Sequence, residues 1–519
     1  MSVLGNIRRM FRPRAARPDM ARFAAQVART VRAKYDAAET SDEDRRWWAS
    51  ADNLSADAAN SADVRRKLRN RTRYEVANNG FARGIANTLA NYVVGTGPRL
   101  QVLLPDREQR QFVEREFSLW ARRVRLADKL RLMRETRVVD GEAFLLLRTN
   151  RGREETSLDR EGVRRPMVML DVQLIEADRI ATPTLPYPTA NAIDGIRFDP
   201  AGNPIEYHLL RRHPGDMHLP SISPWDYEPV EAQLVIHYFR HDRAGQHRGV
   251  PEYTPVLRLF AFHRRFVLAT IRAAEAAADF AVMLETDAPA DPDAVESAED
   301  IPLIEIERGM LTPMPAGYKA NQLRPEHPST TFESFHRRIV GDVARVLNMP
   351  LNIALGDSSG LNYSSGRLDH QSFHRSIAVD RRDLEDTVLD RLFAAWLDEA
   401  VLIDDYLPRA LRARDAEVPH TWMWPGFGSI DAQKEETARE KRLQNGMSSY
   451  PTEFAAAGQD WEIEQEQQAA ALGVSLTEYR ELLRRRLFGA ADATAGKQAD
   501  RPEIEPEDAD ESEERRAAA

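Results

Sequence analysis

Hydrophobic and polar positions alternate in two different rhythms along this chain, and the switch between them divides it. Residues 20–46 are Ala-rich and charge-laced, which predicts helix. Residues 62–77 continue in helical period up to Asn78-Asn79-Gly80. Beyond that break Phe81, Ile85, Leu89 and Tyr92 fall on one apolar face, until Gly95-Thr-Gly97-Pro98 stops the helix. A further helix is predicted over 107–135. The rhythm then changes to short β runs at 141–148, 166–172, 191–198, 205–210 and 234–239, set apart by turn residues. From 255 to about 280 runs the strongest helical pattern in the chain, roughly 40 Å long at the usual rise. The stretch 286–300 is acidic and broken by prolines, and 305–312 with 316–322 predict a β pair around Pro313-Met-Pro315. A second helix over 331–347 closes at Asn348-Met-Pro350. The polar loop 356–366 follows, then a long helix over 367–400 and charged helices over 429–489. The predicted fold class is α+β, mainly helical, with a small β-rich region between helical ones.

Composition narrows the function classes. The 519 residues are 42% apolar and 30% charged, with Lys plus Arg at 72 and Asp plus Glu at 82, a net charge of -10. A tight nucleic-acid wrapper needs the opposite balance, because its affinity comes mainly from neutralised phosphates. The chain has no cysteine, which excludes disulfides, thiol nucleophiles and Cys-ligated zinc. No apolar run approaches the length of a membrane span. The first 18 residues carry Arg8, Arg9, Arg12, Arg14 and Arg17 without an apolar stretch, and read as a basic arm, not a secretory signal. Asp500 to Glu514 hold nine acidic residues against one basic, an acidic tail.

Catalytic patterns are weak. Gly496-Lys497 is followed by Gln498, and neither Gly95-Thr-Gly97 nor Gly426-Phe-Gly428 has the remaining glycine or the strand–helix setting of a phosphate cradle. His237, His241 and His247, with Asp242, resemble a metal cluster in composition. Their spacing on a strand separates them, so solvent-facing polar residues at a strand end are the better reading. Ser364, His370 or His374 and Asp369 lack a nucleophile elbow around any serine. Asp140, Glu142 and Asp171 offer carboxylates for a metal-dependent nuclease or hydrolase. That reading, and a helical virion scaffold or adaptor, stay open as alternatives.

Two separated motifs carry a family resemblance. The first is the arginine-rich segment beginning Val64-Arg-Arg-Lys67, its break at Glu75-Val-Ala-Asn-Asn79, and Asn91-Tyr-Val-Val-Gly-Thr-Gly97. The second is Leu347-Asn-Met-Pro-Leu-Asn-Ile-Ala-Leu-Gly-Asp357, followed by Asn362-Tyr-Ser-Ser365. Together they resemble the lambda-type portal proteins of tailed phages; the break departs from that pattern by losing one basic position. The resemblance implies a structural protein without catalytic residues, metal or cofactor. It forms a ring, usually of about twelve copies, at one capsid vertex. Double-stranded DNA passes through the channel, driven by a separate terminase, and the ring meets the major capsid protein and the neck and tail adaptors. It also implies residence in the virion, with assembly in the host cytoplasm and no membrane.

That family's architecture of wing, stem, clip and crown maps onto the chain as an expectation. Residues 1–61 would be the basic arm and first helices, 62–254 the wing, 255–280 and 331–348 the stem helices, and 281–330 the clip. Residues 349–428 would hold the channel loop and a wing helix, 429–490 the crown, and 491–519 the disordered tail. The resemblance places a channel loop at Asp357, Ser358, Ser359, Asn362, Tyr363, Ser364 and Ser365. Arg367 is then the nearest cation, and Ser364 or Ser365 is expected as N-cap of the following helix. Arg264, Arg265, Arg337 and Arg338 on the stem would touch DNA briefly or pair with neighbouring stem helices; both readings stand at this point.

Overall fold

The computed structural model describes residues 46, 50–150, 167–182, 192–216, 226–278, 282–286, 318–322, 332–359, 363–408, 411, 418–427 and 432–498. It divides into two compact units, residues 1–59 and 60–519. Of the first, a helical turn at Ala56–Ala59 is described, with the Ser55 hydroxyl accepting from the Ala58 amide at 3.2 Å. The expected helix over 20–46 and the basic arm lie outside the described residues, Arg46 apart. Everything below concerns the second unit.

Two helices, α1 (Ala62–Asn78) and α2 (Gly80–Val94), meet at Asn79. The Asn79 side chain accepts from the amides of Phe81 and Ala82, so the break read in the sequence is a helix cap. Ile85 and Leu89 are fully buried on the predicted face. Strand β1 (Arg99–Val102) follows. The single helix expected over 107–135 is two, α3 (Arg107–Arg123) and α4 (Leu126–Asp140). Arg125 between them has a left-handed φ of 55°, and this turn lets both Trp120 and Leu130 reach the same core.

The β-rich region is two antiparallel sheets. The first places β2 (Glu142–Thr149) between β3 (Leu170–Ile175) and β8 (Val235–Phe239), with Leu145 opposite Leu174 and Ile236. The second is a meander of β4 (Ala192–Ile193), β5 (Ile196–Phe198), β6 (Pro204–Leu210) and β7 (Tyr227–Glu231). Successive side chains of a strand point to opposite faces, and β2 uses this to join two cores. Ala143, Leu145 and Leu147 enter the large core with α2, α3 and α4. Phe144 and Leu146 enter a small one with Ile175, Ile196, Tyr207 and Val230. The run expected over 191–198 is a hairpin, turned at Asp194 and Gly195, both at positive φ.

Helix α5 (Leu257–Ala278) is followed by β9 (Val282–Thr286), β10 (Tyr318–Gln322) and α6 (Phe332–Arg345). Strand β10 pairs antiparallel with β9, Tyr318 opposite Thr286. The expected pairing of 316–322 with 305–312 involves a segment that lies outside the described residues. After α7 (Leu351–Leu355), α8 (Tyr363–Leu384) passes through a π-helical turn at Glu385–Leu389 into α9 (Asp390–Val401). Phe373, Leu384, Leu392, Phe393 and Trp396 carry this long element into the large core. Strand β11 (His420–Met423) then returns to pair with β1. Four helices complete the described chain: α10 (Ala432–Gln444), α11 (Tyr450–Ala456), α12 (Trp461–Leu472) and α13 (Leu476–Gln498). The last extends beyond the expected boundary at 490.

Candidate functional site

The candidate site is the pair α5 and α6 with the loop that follows α7. Aromatic packing joins the helices: Phe266 stacks on Phe332 at 5.4 Å and meets Phe335 edge-on at 4.9 Å. Nearer the core, His263 Nε2 and His336 Nδ1 lie 2.8 Å apart, and both rings contact Phe81 of α2. Burial lowers the pKa of each imidazole, helped at His263 by His336 and at His336 by Arg337. Two neutral rings therefore share one hydrogen bond, one nitrogen donating and the other accepting.

The four arginines named for this region behave differently from one another. Arg264 donates to Glu75 at 2.9 Å and lies over the Tyr74 ring, so it ties α5 to α1. Arg337 donates to Asp357 at 2.9 Å. Arg338 is 3.4 Å from Asp342, one turn along its own helix and open to solvent. Arg265 is exposed and has no ion pair among the described residues. The structure thus brings together two residues expected in separate places, the loop carboxylate Asp357 and the helix cation Arg337.

Within the loop, Asp357 Oδ1 accepts from the Ser359 amide at 2.8 Å. Hydrogen bonds from Ser359, and then Arg337, hold its carboxyl below the usual range. Ser358 and Ser359 are exposed, and Asn362 lies outside the described residues. Helix α8 begins at Tyr363, so Ser364 and Ser365 stand inside its first turn. This corrects their expected role as N-caps, which precede a helix. Arg367 is exposed on the next turn, beside Leu368, and His370 Nε2 is 3.2 Å from the Asn352 amide.

The carboxylates that suggested metal chemistry are held as structural pins. Glu142 is fully buried and accepts from Nη2 and Nε of Arg248, at 2.7 and 2.9 Å, and from the Gly249 amide at 3.0 Å. Burial alone would raise its pKa; Arg248 and His237 overrule that and pull it well down. Asp140 receives two 2.7 Å hydrogen bonds from Arg73, and Asp171 accepts from Asn150 at 2.9 Å. His237, expected to face solvent, is buried between Phe144 and Phe239 with its Nε2 3.0 Å from Glu142. His241 lies on Phe239 and His247 against Phe198. Among the described residues no three His, Asp or Glu side chains are placed to hold a metal ion. Gly141 explains the Asp-Gly-Glu sequence: at φ 89°, a Cβ there would lie 2.4 Å from the Val250 carbonyl carbon.

Sequence reasoning missed a second buried charge cluster. Arg134 and Arg137 of α4 bind Glu252 at 3.1 and 2.8 Å, and both reach Asp380 of α8. Arg137 also donates to the Tyr238 hydroxyl at 2.7 Å. Burial would raise the Glu252 pKa, but the two arginines hold it at about 2. The partners lie more than a hundred residues apart, so no local spacing announces them. The motif Asn91–Gly97 is equally structural. Arg381 donates to the carbonyls of Val93, Tyr92 and Pro425, capping the end of α2.

Residues 41–381 match the family model described as phage portal protein, lambda family. A probable portal protein of Halomonas phage phiHAP-1 is 24% identical over 419 residues, 76% of this chain and 77% of that one. The portal protein of Escherichia phage N15 is 21% identical over 322 residues, 56% and 60% of the two chains. Among solved structures, the neck of an empty GTA particle computed with C6 symmetry covers 80% of this chain and 97% of its own at 13% identity, TM-score 0.39. An HK97 family phage portal protein from Corynebacterium diphtheriae covers 58% and 85% at 14% identity, TM-score 0.29. These structural likenesses are loose, and the family relationship rests on the sequence match.

Proposed function

The chain belongs to the lambda family of phage portal proteins, and from that premise we propose that its copies close into a ring of about twelve at one capsid vertex. Double-stranded DNA enters and leaves the head through this ring. The protein is a structural molecule with no catalytic residues. Terminase, the major capsid protein and the neck and tail adaptors are its partners, first in the host cytoplasm and then in the virion. The match over residues 41–381 carries this reading. The order α5, β9–β10 pair, α6 supports it, because a stem that carries a clip needs helix, excursion and helix in sequence.

In this reading 62–254 is the wing, α5 and α6 are the stem, 281–330 is the clip, and α10–α13 form the crown. The segment Asp357–Ser365, whose last three residues open α8, is the channel loop, with Arg367 on the same helix. Its link from Asp357 to Arg337 couples loop position to the stem helix. A net charge of -10 per copy disfavours static DNA binding, as a conduit requires. Purified full-length protein viewed by negative stain, with its mass measured in solution, tests the proposal. Closed rings are expected; a stable monomer that cleaves DNA with divalent metal would overturn it.

A further inference from the structure

Along α5, Arg258, Arg265 and Arg272 recur every seven residues, and all three are exposed. Seven residues make roughly two turns, so the three guanidiniums share one stripe with tiers about 10.5 Å apart. Among the described residues none of the three has an ion pair or hydrogen bond, whereas Arg264, one position away, is bound to Glu75. The helix contains a single acid, Glu275, three residues after Arg272 and about 60° around the wheel from it, and the two form no ion pair.

The stripe has apolar shoulders. Phe262 is 60% exposed and Leu268 49%. At about 100° per residue they lie some 60° to either side of Arg265, while Phe260 and His263, which pack inward, lie on the opposite side. On a helix set in a ring, large apolar side chains left open on both shoulders are placed where neighbouring copies can cover them. An inner helix of a ring has a neighbouring copy on each side and the lumen between them. We propose that Phe262 and Leu268 are covered by neighbouring copies. The Arg258–Arg265–Arg272 stripe then faces the lumen and contacts the phosphate backbone of duplex DNA. This rests on the portal reading above.

Charge complementarity favours DNA as the occupant: the stripe presents three unpaired guanidiniums against the one carboxylate of Glu275, and guanidinium matches phosphate in charge and in its paired N–H geometry. Because the chain as a whole repels DNA, the contacts are brief and salt-sensitive, which lets the duplex slide.

The test compares assembled rings of the full chain with rings of the triple variant Arg258→Gln, Arg265→Gln, Arg272→Gln. A fluorescent duplex is titrated over a series of salt concentrations. The expected result is unchanged ring mass, affinity at low salt reduced about tenfold, and a shallower dependence of log K on log salt. The matching triple Lys variant should retain most of the wild-type affinity. Intact variant rings with wild-type affinity and slope would overturn the proposal and leave the portal reading standing. Failure of the triple Gln variant to assemble, with wild-type helix content, would overturn it in favour of contact between copies. Phe262→Ser with Leu268→Ser should weaken assembly while leaving the subunit's circular dichroism unchanged; undisturbed rings would remove the shoulder assignment. If the wild type forms no ring, the portal reading itself fails, and this is seen before any DNA is added.

Discussion

Arginine does opposite things in two regions of this protein. In the β-rich region and its supporting helices, Arg134, Arg137 and Arg248 are buried and bound to carboxylates. On α5, Arg258, Arg265 and Arg272 are exposed and carry no ion pair among the described residues. A buried guanidinium without a carboxylate would be strongly destabilising, so the first group must be matched inside its own subunit. The second group has no such obligation and is free to act on something else. Residue type alone does not distinguish a structural arginine from a contact arginine; the surroundings do.

The sharpest break in the comparison comes from one substitution made in each region. Arg248→Gln strands Glu142, which is wholly buried, and should destabilise the subunit by about 3–5 kcal/mol in urea unfolding. Arg265→Gln should change the same midpoint by less than about 0.5 kcal/mol. Equal effects at the two positions would contradict the division drawn here.

A second test uses acid. Glu252 has its folded pKa held at about 2, down from the ordinary glutamate value of about 4.5. A depressed carboxylate stabilises above its unfolded pKa, and that stability drains away as pH falls from about 4.5 towards 2. Its share is about 3 kcal/mol, and Glu252→Gln should flatten this part of the stability–pH curve. Glu114 gives the opposite sign. It accepts from the Val102 amide at 2.7 Å beside an open groove of about 820 Å³ between β1, α3 and α12, and burial raises its pKa to about 7. Its contribution is present below about pH 4.5 and is lost as pH rises towards 7. Glu114→Gln should remove that opposite slope, read from melting temperatures across the range.

The smallest effect is expected at the half-exposed pair Arg337–Asp357. Asp357→Asn should change the stability of the subunit by less than about 1 kcal/mol, because ion pairs open to solvent contribute little. It should increase hydrogen exchange at the Ser359 amide, which Asp357 now holds.

How much of this was legible varied with the range of the interactions involved. The face of α2, the long helix α5 and most strands follow from local periodicity, because each element carries its own apolar pattern within a short stretch of chain. Strand β7, Tyr-Glu-Pro-Val-Glu, buries only Val230 and so shows no alternation to read. The β1–β11 pair joins segments more than three hundred residues apart. The site was half legible. Arg265 and Arg337 stood out as charges on stem-like helices, but the pairing of Arg337 with Asp357 is a tertiary contact. The seven-residue recurrence of Arg258, Arg265 and Arg272 was present in the sequence; only the exposure of all three, beside the paired Arg264, gives it meaning.

The most direct measurement is a side-chain-resolution cryo-EM map of the assembled ring. We expect α5 to line the channel with Arg258, Arg265 and Arg272 projecting into the lumen, and Phe262 and Leu268 buried against neighbouring copies. A map in which these three arginines instead pair with carboxylates of an adjacent copy, or face away from the channel, would contradict the division of arginine roles between the two regions.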